Sequence, residues 1–486
     1  MNSTSVVDSQ EAHDTHERRR WFALAVLCLG VVMIVLDVTI VNVALPTIRG
    51  SLGFSESSLA WVVNAYLLTS GGFLLLGGRL GDLYGHRRLF LLGIVLFTLA
   101  SLACGLASSQ FTLIAARAVQ GLGGAIVDAV ALSLIVDLFT QTGDRAKAMG
   151  VYGFVCSGGG SIGALLGGFL TNMFDWHWIF LVNIPIGIAV VALSLPLLPA
   201  SRGAEGKRNL DVGGAVTVTS ALMLAIYAIV NGNQAGWSSV QTLGLLAGAA
   251  VLFAGFLLIE AKVRVPLMPL GLFRSRNLAV ANVVGVLWAA AMFAWFFLSA
   301  LYLQIVLGYS PLEVGLAFVP TNLIMAACSL GLSARLVMRF GVKPPLAAGL
   351  LCAVAGLLLF ARAPVDGSFA VDVLPPMLLL GFGAGIAFNP LLMAAMNDVA
   401  PSESGLASGI VNTSFMMGGA LGLAVLASVA GARTTHLALF GADHAAALTG
   451  GYHAAFVGGA LFALLATVAG IVLLRAGAVG TPDKAH

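Results

Sequence analysis

The chain has 486 residues, of which 59% are hydrophobic and only 9% charged, against roughly 25% charged in a soluble globular protein. That balance excludes a soluble protein, and the net charge of +3 reports membrane orientation, not a nucleic-acid surface. The five cysteines, Cys28, Cys104, Cys156, Cys328 and Cys352, lie inside apolar stretches without paired spacing, so they read as packing residues and not as disulfides or metal ligands. His436, His444 and His453 scatter around one loop with no ligand spacing.

A polar tail, residues 1–20, leads at Trp21 directly into a full-length apolar span, unlike the short core of a cleavable signal peptide. About twenty apolar residues cross a bilayer. Fourteen stretches meet that length: 21–46, 58–79, 88–108, 111–138, 146–173, 177–199, 211–231, 240–261, 278–307, 311–335, 344–362, 373–397, 403–432 and 452–475. The chain therefore reads as an all-α polytopic membrane protein. With the N-terminus in the cytoplasm, 20 of the 24 basic residues fall in the tails and cytoplasmic junctions. Arg49, Arg362 and Arg433 fall outside, and Arg117 lies within a span. The bias fixes both termini in the cytoplasm.

Span 1 contains Asp37 and Asn42. An ionisable side chain in a span is expensive, so it is kept for function or paired. An acid moved from water into an apolar span holds its proton more readily, which suits a proton carrier. The other reading of Asp37 is a structural pair with Arg117. Spans 2 and 3 are joined by Gly78-Arg79-Leu80-Gly81-Asp82-Leu83-Tyr84-Gly85-His86-Arg87-Arg88, a tight, charged hairpin whose glycines permit the turn.

On span 4, a helical rotation of about 100° per residue brings Arg117, Gln120, Gly121, Gly124 and Asp128 onto one stripe. Such a stripe lines a cavity or lets a partner helix approach. Arg117 and Asp128 are about 16 Å apart along the axis, too far to pair with each other. Arg117 stands at the height of Asp37 and is its natural counter-ion. Asp128 lies deeper, and reads as a second proton site, a contact for a cationic substrate, or a packing carboxylate. Asp137 falls on the opposite face, near the hairpin. In span 5, Gly150, Gly159, Gly163, Gly167 and Gly168 are expected to let spans 5 and 10 pass closely. The aromatic run Trp288, Phe293, Trp295, Phe296 and Phe297 in span 9 fits an apolar substrate or an ordinary lipid or core face.

The chain repeats itself. Gly53-Phe54-Ser55 recurs as Gly308-Tyr309-Ser310, and Arg79-Leu80…Gly85-His86-Arg87 as Arg335-Leu336…Gly341-Val342-Lys343. Gly150, Gly159 and Gly163 recur with the same spacing as Gly409, Gly418 and Gly422. The expected organisation is two pseudo-symmetric six-helix bundles, 21–199 and 278–475. Two inserted helices, 211–262, lie between a linker at 200–210 and a connector at 263–277, and a tail follows at 476–486. Met338 replaces Asp82 in the second hairpin, so the halves are not equivalent.

The hairpin resembles the signature loop between helices 2 and 3 of the major facilitator superfamily, departing at Leu83 and His86, where that family usually carries Arg. Leu36-Asp37-Val38-Thr39-Ile40-Val41-Asn42-Val43-Ala44-Leu45-Pro46 is similar to the span-1 signature of its fourteen-span drug:proton antiporters. Arg117-x-x-Gln120-Gly121-x-Gly123-Gly124 resembles the span-4 arginine motif. Gly150-x8-Gly159-x3-Gly163-Ala164-x-x-Gly167-Gly168 resembles the span-5 antiporter motif, with Ala164 in place of proline. Trp176 to Gly187 also looks like that group.

The resemblance implies proton-coupled efflux of small amphipathic or hydrophobic compounds, such as drugs or antibiotics, by alternating access in a bacterial cytoplasmic membrane. Asp37, Arg117 and Asp128 would handle protons, while Gln120, Gly124, Asn42, Trp295 and Phe296 would line the substrate cavity. Gly78, Asp82, Gly85, His86, Arg87, Arg88 and Asp137 would form the conformational hairpin, with His86 between the two carboxylates or Arg87 or Arg88 bridging instead. A monomer without cofactors is implied. The alternative within transport is a dedicated exporter of one endogenous metabolite, lipid or siderophore. A membrane-embedded enzyme would need a surface cluster of His, Asp or Glu, and a passive channel would not need buried carboxylates. No glycine–lysine loop for a nucleotide phosphate is present.

Overall fold

The computed structural model describes residues 4–139, 141–199, 211–264, 266–396, 399 and 404–475. Among them, regular structure is helical throughout. The first half comprises α1 (Thr4–Leu52), α2 (Glu56–Tyr84), α3 (His86–Gly105), α4 (Gln110–Leu138), α5 (Thr142–Met173), the short α6 (Trp178–Leu181) and α7 (Asn183–Leu197). A pair follows, α8 (Val212–Ala235) and α9 (Val240–Lys262). The second half contains α10 (Arg276–Leu301), α11 (Pro311–Ala327), α12 (Ser333–Phe340), α13 (Lys343–Phe360), α14 (Leu374–Met396), α15 (Ser404–Leu439) and α16 (His444–Leu473).

Among the described residues, twelve helices are long and apolar enough to cross a membrane, against the fourteen spans expected. The two others, at 146–173 and 311–335, are helical, but their apolar helices are shorter, Ile162–Met173 and Pro311–Ala327. In the second of these, the α-helix gives way to a π-helical segment at Cys328–Leu332. The polar tail is also not a separate element, because α1 runs unbroken from Thr4.

The repeat read from the glycines is a repeat in geometry. Gly53 and Gly308 both have positive φ, at 68° and 72°, and so do Gly85 and Gly341, at 96° and 77°. A side chain there would be strained. Ser55 and Ser310 then each close a capping box at the start of the next helix.

Lipid gives packed helices no hydrophobic drive, so close contact at small residues matters. A Cβ on Gly159 would lie 2.8 Å from Val35, and one on Gly163 would lie 1.9 Å from Thr39, both on α1. In the second half a Cβ on Gly418 would lie 2.7 Å from Val286 and one on Gly422 would lie 2.1 Å from Ala290, both on α10. Gly167 likewise backs onto Ile40 of α1. The expectation that this motif serves the α5–α11 crossing therefore needs correction for Gly159, Gly163 and Gly167, which seat α5 on α1. Gly168 does face α11, where a Cβ on it would lie 2.6 Å from the Pro311 carbonyl, and a Cβ on Gly315 would lie 2.5 Å from the Ala164 carbonyl. Gly150 lies in α5, but its surroundings fall outside the described residues.

Among the described residues, the two most extensive seams between the halves are α5 against α11 and α2 against α15. The inserted α8 lies against α2 and α15, while α9 packs on α8 and faces outward, Val251 being 70% exposed. Near the far end of α8, Asn233 donates to the Ser428 carbonyl at 2.7 Å, and the Ser428 hydroxyl donates to the Ile229 carbonyl at 3.1 Å.

Basic side chains clasp the last helix of each half. Arg19 donates to the Pro196 carbonyl and Arg87 to the Leu195 carbonyl, each at 2.5 Å, at the end of α7. Arg276 and Lys343 do the same at the end of α16, reaching the Leu473 and Ile471 carbonyls at 2.8 and 3.3 Å. Cations at these unsatisfied carbonyls also suit the helix dipole. A second device joins α12 and α14. Pro390 has no amide to bond Ile386, and the Ser333 hydroxyl donates to that freed carbonyl at 3.0 Å. One turn away, Asn389 donates at 2.8 Å to the Ser329 carbonyl inside the π segment.

Candidate functional site

Asp37 and Arg117 meet in the interior of the first half. Arg117 Nη1 donates to Asp37 Oδ2 in a short charge-assisted contact, and both residues are 1% exposed. Arg117 Nη1 also reaches Gln120 Oε1 at 2.6 Å, and its Nε donates to the Val62 carbonyl of α2 at 2.9 Å. Its guanidinium lies 4.5 Å from the Tyr66 ring centre and 5.7 Å from that of Phe180, a favourable cation–π setting. On the other oxygen, Asp37 Oδ1 accepts Gln120 Nε2 at 2.7 Å and Asn183 Nδ2 at 3.2 Å. Ser101 Oγ accepts the same two amides, at 2.8 and 3.3 Å. The Cys104 thiol points at Gln120 Oε1 at 3.7 Å.

This network draws on α1, α2, α3, α4 and α7, and all of these side chains are buried. Both oxygens of Asp37 accept donors, so the arrangement fits the carboxylate. A buried charge pair with every partner supplied tolerates its desolvation; one with a partner missing does not. Asn183, Ser101, Cys104 and Tyr66 belong to the site although sequence reasoning gave them no role in it. Asn183 stood inside the Trp176 to Gly187 motif, but nothing in its spacing pointed to Asp37.

The remaining candidates are placed differently. Gln120 is part of the buried network and not of a cavity wall. On the same stripe Gly121 and Gly124 seat α4 against α2. A Cβ on the first would lie 2.4 Å from the Tyr66 carbonyl, and one on the second 2.8 Å from the Tyr66 hydroxyl. Asp128, one turn further, is half-buried, and among the described residues no hydrogen bond or ion pair reaches its carboxylate. Asn42 is half-buried and donates to the Val38 carbonyl of its own helix at 3.2 Å. Trp295 is fully buried and packs at 4.3 Å against half-buried Phe296, which stacks on Phe318 at 5.6 Å. The aromatic run thus divides between the core and a partly open face.

At the hairpin, Gly85 alone separates α2 from α3. His86 Nδ1 lies 3.1 Å from Asp137 Oδ2 at the end of α4, while Arg87 is taken up by the α7 clasp and Arg88 is exposed. Gly81 faces the His86 ring, where a Cβ would lie 2.8 Å from Cδ2. Gly78 lies over Ala129 of α4. The side chain of Asp82 lies outside the described residues. An arginine in its place would carry a fixed charge opposite Asp137. His86→Arg should hold the pair at every pH and flatten the alkaline limb of the transport pH profile. An unchanged profile in reconstituted vesicles would make the histidine incidental.

The Major Facilitator Superfamily profile matches residues 27–423. A puromycin resistance protein of Streptomyces alboniger is 38% identical over 461 residues, covering 94% of this chain and 90% of that one. A cephamycin export protein of Amycolatopsis lactamdurans is 37% identical over 449 residues, covering 92% and 91%. Among solved structures, an auto-inhibited POT family peptide transporter superposes with a TM-score of 0.65 at 17% identity, covering 92% of this chain and 96% of that one. With its helical halves, its signature hairpin and this match along most of its length, the chain belongs to the major facilitator superfamily and is a multi-pass membrane protein.

Proposed function

We propose that the protein exports small amphipathic or hydrophobic compounds, antibiotics among them, in exchange for protons by alternating access. The observation that carries this reading is the alignment, over more than nine-tenths of the chain, with relatives named for puromycin resistance and cephamycin export. The halves 21–199 and 278–475 rock about the α5–α11 and α2–α15 seams, as in transporters built from related repeats. Both termini face the cytoplasm of a bacterial inner membrane, and the protein works as a monomer. Asp37 is the proton carrier, released from Arg117 when the network opens. Asp128, half-buried and without a protein partner among the described residues, contacts a cationic substrate or a second proton.

The test is efflux from proteoliposomes of cationic, neutral and anionic compounds, with and without an imposed pH gradient. Export should require the gradient, and Asp128→Asn should cost cationic substrates several-fold more than neutral ones. Gradient-independent export would end the coupling proposal. Equal transport of both classes by Asp128→Asn would remove Asp128 from the substrate path.

A further inference from the structure

The inserted pair carries two acids that the transport reading does not use. Asp211 caps α8, its Oδ1 accepting the Gly214 amide at 2.7 Å. Glu260 stands in the last turn of α9, its Oε2 accepting the Met268 amide at 3.1 Å. Asp211 is 5% exposed and Glu260 3%. The second oxygen of each, Asp211 Oδ2 and Glu260 Oε1, is buried with no hydrogen-bond partner. These two oxygens converge on one point, since a Cβ on Gly214 would lie 2.5 Å from the first and 2.9 Å from the second.

Among the described residues, no ion pair joins a cation to either acid. Helix α8 contains no charged residue, and its Tyr227 is exposed. Lys262 of α9, Arg264 and Arg274 of the connector, and Arg79 and Tyr84 of α2 are all exposed. The charged or titratable residues of the described part of α15 are Arg433 and His436, near its far end. Two facing carboxylates repel, and neither can donate to the other. One proton between them turns the repulsion into a charge-assisted hydrogen bond, and the pair then titrates as a unit.

We propose that Asp211 and Glu260 form a proton-binding site, separate from Asp37, in which one proton is shared between Glu260 Oε1 and Asp211 Oδ2. The proton holds the 263–275 connector in place. Met268 is tied to Glu260, and its neighbour Leu267, 6% exposed, packs with Ala215 of α8 and Leu76 of α2. The lead-in to the second half is thereby seated on a helix of the first, close to the signature hairpin. Loss of the proton to adjoining water leaves two carboxylates, which push apart and loosen the Met268 tie.

The test uses the full chain purified in lipid nanodiscs. Infrared spectra at stepped pH should contain a protonated carboxyl carbonyl band that both Glu260→Gln and Asp211→Asn remove and Asp37→Asn leaves in place. In Glu260→Gln the amide supplies the missing donor, so the fold should survive; Asp211→Asn provides the second route. The Met268→Cys variant should react with maleimide several-fold faster, relative to Met268→Cys in the Glu260→Gln background, as pH rises. The proposal is overturned if neither variant removes a band, or if the ratio of labelling rates stays flat with pH. A transition that follows sodium or magnesium concentration at fixed pH would assign the site to a metal cation and overturn it equally. None of these readouts depends on whether the protein exports antibiotics.

Discussion

Arg117→Leu is expected to destabilise the folded protein by about 3–5 kcal/mol and to abolish transport. Leucine leaves Asp37 Oδ2, the Gln120 carbonyl oxygen and the Val62 carbonyl without the donor that serves all three. A buried carboxylate without its counter-ion is the costly outcome; the pair itself contributes less. Asp37→Leu combined with Arg117→Leu should therefore recover much of the stability of the purified protein while remaining inactive. Arg117→Lys should fall between, because one ammonium at the end of a flexible stem does not reproduce the planar fork that reaches a side chain and a backbone carbonyl together. Thermal unfolding in detergent separates these cases. A single Arg117→Leu variant as stable as its parent would mean that Asp37 finds another partner or is protonated in the folded state.

How far the sequence led depends on what each residue has to do. Asp37 and Arg117 were legible because ionisable side chains are rare in apolar spans, so two at one height had to be considered together. The positive-φ glycines and their following serines were legible because the turn and cap they make are local. Asn183 and Ser101 were not, since a small polar residue in a span carries no mark of its partner. Asn42 and Thr39 look no different in sequence, yet they bond carbonyls of their own helix. The glycines of α5 gave a face but not the helix it meets, so Gly163 was assigned to the wrong crossing. Arg87 reads in the sequence as a candidate bridge at the hairpin, which hides its bond to the Leu195 carbonyl. A helix period fixes direction around an axis, whereas a partner depends on long-range packing.

Asp37→Asn should reduce gradient-driven export to the level of vesicles without a gradient, while the protein remains folded in the membrane. Asp37 accepts from Gln120 and Asn183 on one oxygen and from Arg117 on the other. An asparagine amide presents a donor to one of those donors, whichever way it is turned, so the substitution also loosens the network it sits in. Loosening alone would leave coupling intact at reduced rate. Removal of the proton carrier would leave substrate able to run down its own gradient but unable to be driven by protons. Counterflow and gradient-driven flux in the same proteoliposomes distinguish the two, because counterflow needs the conformational cycle but no net proton movement. Retained counterflow with no driven export is the expected pattern. Parental proton-to-substrate coupling in Asp37→Asn would mean that the proton travels by another acid, and Asp128 would be the next to replace.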